Sequence, residues 1–265
     1  MIPKKLLGQT NLNVSVMGIG TVKFGRTEGM KYLTRYELPS DQTIQDLLAY
    51  AKVHGVNLID TAPAYGSSET RLGKALKGQR QDWVIVSKAG EEFVNGKSIY
   101  DFSAKHFEYS IQRSLRELQT DYIDVLLVHS DGNDMHHIQH DKVFETLAKF
   151  KKQGLIRAYG MSTKTLKGGM NAVLNADVVM VTYNPAMTEE KTVIDFAYQQ
   201  NKGVLVKKAF ASGHLNRMEV ANPIEAAVSF VLGHPGVSSL ITGTIDPKHL
   251  AENIHAVENF CGIVA

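Results

Sequence analysis

An α/β fold, the (β/α)8 or TIM barrel, is predicted by three observations in this 265-residue sequence. After residue 40, short apolar runs alternate with stretches whose apolar residues recur at helical spacing. The apolar runs are continuous, as suits strands of a parallel sheet covered on both faces. Eight such strand–helix units fit the usual length of a barrel of this kind. An open doubly wound sheet would use the same units. No Pro-, Gly- or Ser-rich linker and no shift in composition divides the chain, so residues 1–265 are expected to form one barrel domain.

The elements follow in order. Lys4 to Leu7 and Leu12 to Val16 flank the polar turn Gly8-Gln-Thr-Asn11, an N-terminal β-hairpin. Met17 to Gly20 is the first barrel strand. Ser40 to Gly55 places Ile44, Leu47, Leu48 and Ala51 on one helical face, with Ser40 or Asp41 as cap and Gly55 as stop. Asn57 to Ile59 is a strand and Ser68 to Lys77 a helix. Trp83 to Val86 is a strand, and Ser103 to Leu118 a helix buried through Phe107, Ile111, Leu115 and Leu118. Ile123 to Val128 is a strand, followed by a helix from about Ile138 to Lys152. Strands at Leu155 to Tyr159, Val178 to Val181, Gly203 to Val206 and Ser238 to Ile241 complete the count of eight. The helices after them are Thr165 to Leu174, Thr188 to Asn201, Pro223 to Leu232 and Pro247 to Val257.

Composition narrows the partners. Apolar residues make up 43% and charged residues 21%, ordinary for a globular protein. The net charge of +2, from 29 basic and 27 acidic residues, argues against nucleic acid as the main partner. Cys261 is the single cysteine, so no intrachain disulfide forms and a reducing, cytoplasmic compartment is expected. The first residues lack the apolar core of a secretory signal, and no run is long enough to span a membrane. A monomer or weak homo-oligomer acting on a small molecule is the expectation.

The chemistry concentrates at strand ends. Asp60, Lys88 and His129 follow the second, third and fourth apolar runs, and Tyr65 lies in the loop after Asp60. Barrel enzymes work at the C-terminal rim of their strands, so these four are expected to meet there. A carboxylate, a phenol, an ammonium and an imidazole together make a proton-donating site. A phenol with a pKa of about 10 donates reluctantly at neutral pH, so a neighbouring cation helps. Lys88 is that cation, Asp60 holds it and compensates its burial, and His129 donates a hydrogen bond or shares in proton transfer. Singly, each residue also has an ordinary structural reading, as a cap, a half-buried aromatic or a snorkelling lysine.

The chain resembles the aldo-keto reductases over nearly its whole length. The resemblance rests on Asp60-Thr-Ala-Pro-Ala-Tyr65-Gly66, then Ser68-Glu69 and Leu72-Gly73, on Ile-Val-Ser-Lys88, and on Val-Leu-Leu-Val-His129-Ser. Gly160-Met-Ser162-Thr163, Tyr183-Asn184-Pro185, Ala211-Ser212-Gly213 and Asp246-Pro247 with Glu252-Asn253 fall where the family's cofactor motifs fall. The resemblance implies reversible reduction of an aldehyde or ketone, with hydride from NAD(P)H and the proton from Tyr65 supported by Asp60, Lys88 and His129. NADPH is the expected cofactor, with NADH its rival. Its implied contacts are Gly20, Thr21, Val22, Asp60, Ser162, Thr163, Met180, Lys207, Lys208, Ala209, Phe210, Ser212, Gly213, Gly243, Thr244, Ile245, Lys248, His249, Glu252 and Asn253. Independently, no Gly-x-Gly-x-x-Gly opens a helix, so a Rossmann site is not indicated. The glycine-bearing loops Ala209 to Leu215 and Gly243 to Ile245 suit a pyrophosphate at a barrel rim.

Several positions depart from the family pattern. Thr163 stands for an asparagine and Met180 for a glutamine that hold the nicotinamide carboxamide, and Lys207 for an aromatic that stacks on the ring. His249 stands for an arginine and Gly243 for a lysine near the 2′-phosphate, with Lys248 available and Asp246 repelling. These departures leave a second reading, a nicotinamide-binding regulatory subunit with little turnover. A lyase or isomerase is disfavoured, since no metal-binding carboxylates accompany the lysine. Substrate selection is assigned to Val22 to Pro39, with Phe24, Tyr32, Leu33 and Tyr36, and to Ser130 to His140. The sequence ends soon after its last helix, so an open mouth is expected. His136, His137 and His140 lack a third ligand at metal spacing and read as decoration of a polar loop.

Overall fold

The structure is a computed structural model that describes residues 1–29, 36–210 and 220–262. It opens with the antiparallel pair β1 (Lys4–Leu6) and β2 (Asn13–Ser15). The chain continues through β3 (Met17–Gly20), α1 (Val22–Gly25), α2 (Asp41–Val53), β4 (Leu58–Asp60), a 3-10 turn at Pro63–Tyr65, α3 (Ser68–Ala75) and β5 (Val84–Ala89). A second hairpin, β6 (Glu91–Val94) and β7 (Lys97–Tyr100), precedes α4 (Ala104–Glu117). Then come β8 (Ile123–His129), α5 (Asp134–Gln139), α6 (Val143–Lys152), β9 (Ile156–Ser162), α7 (Leu166–Asn175), β10 (Val178–Thr182) and α8 (Lys191–Gln199). β11 (Gly203–Lys207), α9 (Pro223–Leu232), β12 (Ser239–Thr242) and α10 (Pro247–Phe260) follow.

Eight of these strands close into a barrel in the order β3, β4, β5, β8, β9, β10, β11, β12, every adjacent pair parallel. These are the eight apolar runs of the sequence, and the N-terminal hairpin stands where its polar turn places it. Helix starts are fixed by side chains that accept a first-turn N–H: Ser40 from Thr43, Ser103 from His106, Thr165 from Gly168 and Asn222 from Glu225.

Three features differ from the expectation. The single helix expected from Ile138 to Lys152 is two, because Lys142 takes a left-handed φ of 53° between α5 and α6. The β6–β7 hairpin was not expected. Phe24, assigned to the substrate loop, is fully buried in the outer core between strands and helices. Tyr32 and Leu33 lie outside the described residues.

Two cores result from the period-two alternation of strands. The outer one packs Ile19, Ile59, Ile85, Leu126 and their neighbours against the helices. The inner one fills the barrel with Leu58, Val84, Val86, Val125, Leu127, Ala158, Val178, Met180, Leu205 and Ile241. Leu7, Leu12 and Val14 from the hairpin join this inner cluster and stop the N-terminal end. The plug seats closely: Gly8 has φ +55°, and a Cβ there would lie 2.3 Å from the backbone N of Gly203 at the start of β11. No helix among the described residues is long and apolar enough to cross a membrane.

Candidate active site

Followed at every second residue, the inward faces change from apolar to polar on approaching the C-terminal rim. The rows are Leu58–Asp60, Val84–Val86–Lys88, Val125–Leu127–His129, Val178–Met180–Thr182 and Leu205–Lys207, with Ser162 ending β9 in the same parity. Strand geometry thus delivers Asp60, Lys88 and His129 to one rim, as their positions after apolar runs predict.

Lys88 is the hub. Its Nζ donates to Asp60 Oδ1 at 2.6 Å, to Thr61 O at 2.9 Å and to Tyr65 Oη at 3.0 Å. An ammonium has three protons, and here each has an acceptor. Burial would lower the Lys88 pKa, but Asp60 and Tyr65 together hold it above the ordinary value, so the side chain stays charged. Tyr65 accepts from Lys88, and its own proton has only a long, 3.5 Å contact to Asp60 Oδ2. That proton is free to go to another acceptor. Burial pushes the phenol up to about 12, against the pull of Lys88, with Asp60 and Glu91 adding to the rise. The expected lowering by the cation is therefore present but outweighed.

His129 lies edge-on to Tyr65, with ring centroids 6.2 Å apart. Burial and the cations Lys88, Lys207, Lys164 and Arg26 hold its pKa well below 6.5, so the imidazole is neutral. Its Nδ1 faces Glu91 Oε2 at 3.1 Å. Glu91 escaped the sequence reading, although the Asn95-Gly96 pair that turns its hairpin is a strong local signal.

The surroundings explain the residues near Tyr65. Gly66 has φ +62°, and a Cβ on it would lie 2.2 Å from Gly25 O; a Cβ on Gly25 would lie 2.3 Å from Tyr65 O. α1 therefore rests directly on the backbone that carries the phenol. Ser68 donates to Thr21 Oγ1 at 2.8 Å, and Thr21 donates to Asp60 O at 2.9 Å, tying α3 and β3 to the end of β4. Glu69 is fully buried and accepts from Ser87 Oγ and Ser114 Oγ. With no cation at hydrogen-bond distance among the described residues, burial raises it to about 7.

The residues expected to hold a cofactor fall into two groups. Lys207, at the end of β11, reaches over β10 to donate to Ser162 Oγ and Thr163 O, both at 2.8 Å. Burial lowers it to about 8. Thr163 turns its hydroxyl to Glu190 Oε1 at 3.2 Å. Met180 packs within the inner core. Lys208 holds a left-handed φ of 56° and its carbonyl accepts from Asn184, while Ala209 is buried. Gly20 and Thr21 are buried beside β4, Val22 opens α1, and Phe210 packs against the outer core. At the other end Gly243 is exposed, Thr244 is nearly buried and Ile245 packs on the core. Asp246 caps α10 by accepting from Lys248 N and His249 N, whose side chains are exposed beside it. Glu252 is exposed and Asn253 buried one turn on. Ala211, Ser212 and Gly213 lie outside the described residues.

Of the histidine run, His136 and His140 are exposed as expected, and His137 is not. His137 is buried in α5, stacked on Phe102 at 3.6 Å, with Asp141 at 2.7 Å and Asp131 at 2.8 Å on its two nitrogens. Among the described residues no cluster of His, Cys, Asp and Glu is placed to hold a metal.

Residues 16–223 match the model of the aldo/keto reductase family. The chain belongs to the aldo-keto reductase family. A Pseudomonas aeruginosa structure assigned as an aldo-keto reductase is 50% identical, covers 97% of this chain and 95% of its own, and superposes with a TM-score of 0.89. Among curated relatives, the uncharacterized oxidoreductase YqkF of Bacillus subtilis is 27% identical over 96% of this chain and 90% of its own. L-galactose dehydrogenase of Arabidopsis thaliana is 28% identical over 97% of this chain and 88% of its own. An aldo-keto reductase is an NAD(P)H-dependent oxidoreductase acting on carbonyl and alcohol groups, and the Asp60–Tyr65–Lys88–His129 cluster has the arrangement this chemistry uses.

Proposed function

We propose that this aldo-keto reductase reduces a small-molecule aldehyde or ketone, reversibly, with NADPH preferred and NADH accepted. The observation that carries the reading is the Lys88 ammonium, fully hydrogen-bonded and 3.0 Å from Tyr65 Oη. A nicotinamide dinucleotide bound across the strand ends would supply the hydride. Fit to such a group is supported by Lys207, whose charge is turned into the rim. Lys248 and His249 are the cations that would meet a 2′-phosphate, against the Asp246 carboxylate that caps their helix.

Within the chain, Tyr65 delivers its proton to the oxygen on which charge develops. The phenolate left behind is stabilised by Lys88, and Asp60 keeps Lys88 charged and aimed. In the reverse direction the same phenolate takes the alcohol proton. The lone Cys261 supports work in a reducing compartment, as a single barrel.

The test is oxidation of NADPH and NADH with a panel of simple aldehydes, with Tyr65→Phe alongside. Loss of about 10²–10⁴-fold in kcat, with dinucleotide affinity unchanged, is expected for removal of the acid. Full activity in Tyr65→Phe would sink the assignment.

A further inference from the structure

The β6–β7 hairpin forms one wall of the barrel mouth. Its register pairs Glu91 with Tyr100 and Phe93 with Ser98, so these four side chains share one face. The opposite face is spent on α4, where Glu92 meets Arg113 at 2.6 Å and His106 at 3.5 Å. On the mouth side, Phe93 lies under the Arg26 guanidinium at 3.4 Å, and Glu91 stands beside His129. A third contact arrives from the far side of β8. Lys164 follows β9, and its Nζ lies 5.7 Å from the centre of the exposed Tyr100 ring. Its stem passes Gly132, where a Cβ would lie 3.9 Å from Lys164 Cδ. The backbone is anchored at that point: Asp134, buried at the start of α5, accepts from Lys164 N at 3.0 Å and Thr165 N at 2.8 Å. The side chain therefore runs from the end of β9 past the β8 loop to the hairpin, beside the strand end that carries His129.

Of the four cations whose charge reaches His129, three have countercharges. Lys88 has Asp60 at 2.6 Å, Arg26 has Glu91 at 3.8 Å, and Lys207 is offset by Glu190. Lys164 has no carboxylate at ion-pair distance among the described residues, only the Tyr100 ring. The acids of the adjoining β8 loop are already taken, Asp131 by His137 Nε2 at 2.8 Å and Asp134 by the backbone of residues 164 and 165. A cation over an exposed ring is held weakly, so an anion can draw it off. A carbonyl compound with its oxygen at Tyr65 Oη lies against His129, and a few carbons carry its other end toward Lys164. We propose that Lys164 is a specificity-determining residue that receives a carboxylate at the far end of the substrate, with Tyr100 beside the intervening carbons. Oxo acids are then preferred over neutral aldehydes of the same length. The carbonyl end rests on the reductase reading; the anion site does not.

Succinic semialdehyde and methyl 4-oxobutanoate share one oxo-acid skeleton and differ in the carboxylate charge. Wild type should favour the acid about fivefold in kcat/KM, the worth of one partly exposed ion pair. Lys164→Met should bring that ratio to about one by slowing the acid alone, and Lys164→Arg should restore it. Asp134 holds residue 164 through its backbone N–H, so the substitution leaves the loop in place. A ratio near one in the wild type, or one that Lys164→Met leaves intact, overturns the proposal. NADPH affinity, read by cofactor fluorescence, should not change in Lys164→Met; a loss there would assign the cation to the cofactor and overturn the proposal as well. Calorimetry reads the site without turnover, with 4-hydroxybutanoate titrated into NADPH-saturated protein, where no hydride can move. Binding about fivefold weaker in Lys164→Met is expected, and equal affinities overturn the anion site. Absence of turnover with both aldehydes would count against the reductase reading and leave this titration to judge Lys164.

Discussion

At the N-terminal end of the barrel, Leu7, Leu12 and Val14 press onto the apolar inner faces of the strands. At the C-terminal end the same strands finish in Asp60, Lys88, His129, Ser162, Thr182 and Lys207. One end spends its side chains on burial, the other on charge held out of water. Burying a Leu is favourable by roughly 1.5–3 kcal/mol, whereas burying an ion pair often gains nothing over an apolar replacement. The plugged end therefore stabilises the barrel and the polar end uses that stability. Substitutions at the two ends should separate accordingly.

Lys88→Met makes the sharpest break. It removes the cation that holds Tyr65 and leaves Asp60 unpaired, so kcat should fall by at least about 10³-fold. Activity within tenfold of wild type would make Lys88 structural. At the opposite end, Leu12→Ala should cost about 2–5 kcal/mol in denaturant unfolding while kcat in the folded enzyme stays within about twofold. A large loss of kcat with unchanged stability would erase the contrast between the ends.

Two carboxylates nine-tenths or more buried refine the comparison within the polar end. Asp60 has an ammonium; Glu69 has two serine hydroxyls and is raised to about 7. For Glu69 the folded state holds a proton that the unfolded chain releases near pH 4.5. Its stability contribution is full below that pH and is lost as pH rises through about 7. Glu69→Gln should remove this slope, so that wild type loses about 2–3 kcal/mol relative to the variant between pH 4.5 and 7.5. Parallel pH profiles for the two proteins would contradict the assignment. The smallest effect concerns Lys207, whose charge is lost as pH passes about 8. NADPH affinity should weaken a few-fold from pH 7 to 9 in the wild type and stay flat in Lys207→Met, read by cofactor fluorescence.

The polar end was legible because strand parity and strand termination are local properties. Asp60, Lys88 and His129 each follow an apolar run, and a parallel barrel brings such positions to one rim. Glu91 was not legible as a neighbour of His129, because their meeting depends on a hairpin folding back across the rim. The Asn95-Gly96 turn announces that hairpin, with φ of 52° and 78°. The direction in which it folds is set by Arg26 stacking on Phe93 and by Arg113 pairing with Glu92. Phe24 misled for the converse reason. An aromatic in a segment without strand or helix periodicity reads as a loop residue, while four residues of helix suffice to turn it into the core. The Tyr65 pKa depends on burial summed over several elements, which no local pattern reports.

The contact between Gly8 and Gly203 has a consequence for synthesis. The plug leaves the ribosome before any barrel strand, and its seat on β11 follows only after six of them. β3 likewise pairs with β12 on one side and β4 on the other. The nascent chain must therefore carry Leu7 and Leu12 without their final partners while six barrel strands are made, when unpaired apolar surface invites aggregation. Order of emergence and order of closure run in opposite directions in this molecule, and the short, glycine-turned hairpin keeps the waiting segment small.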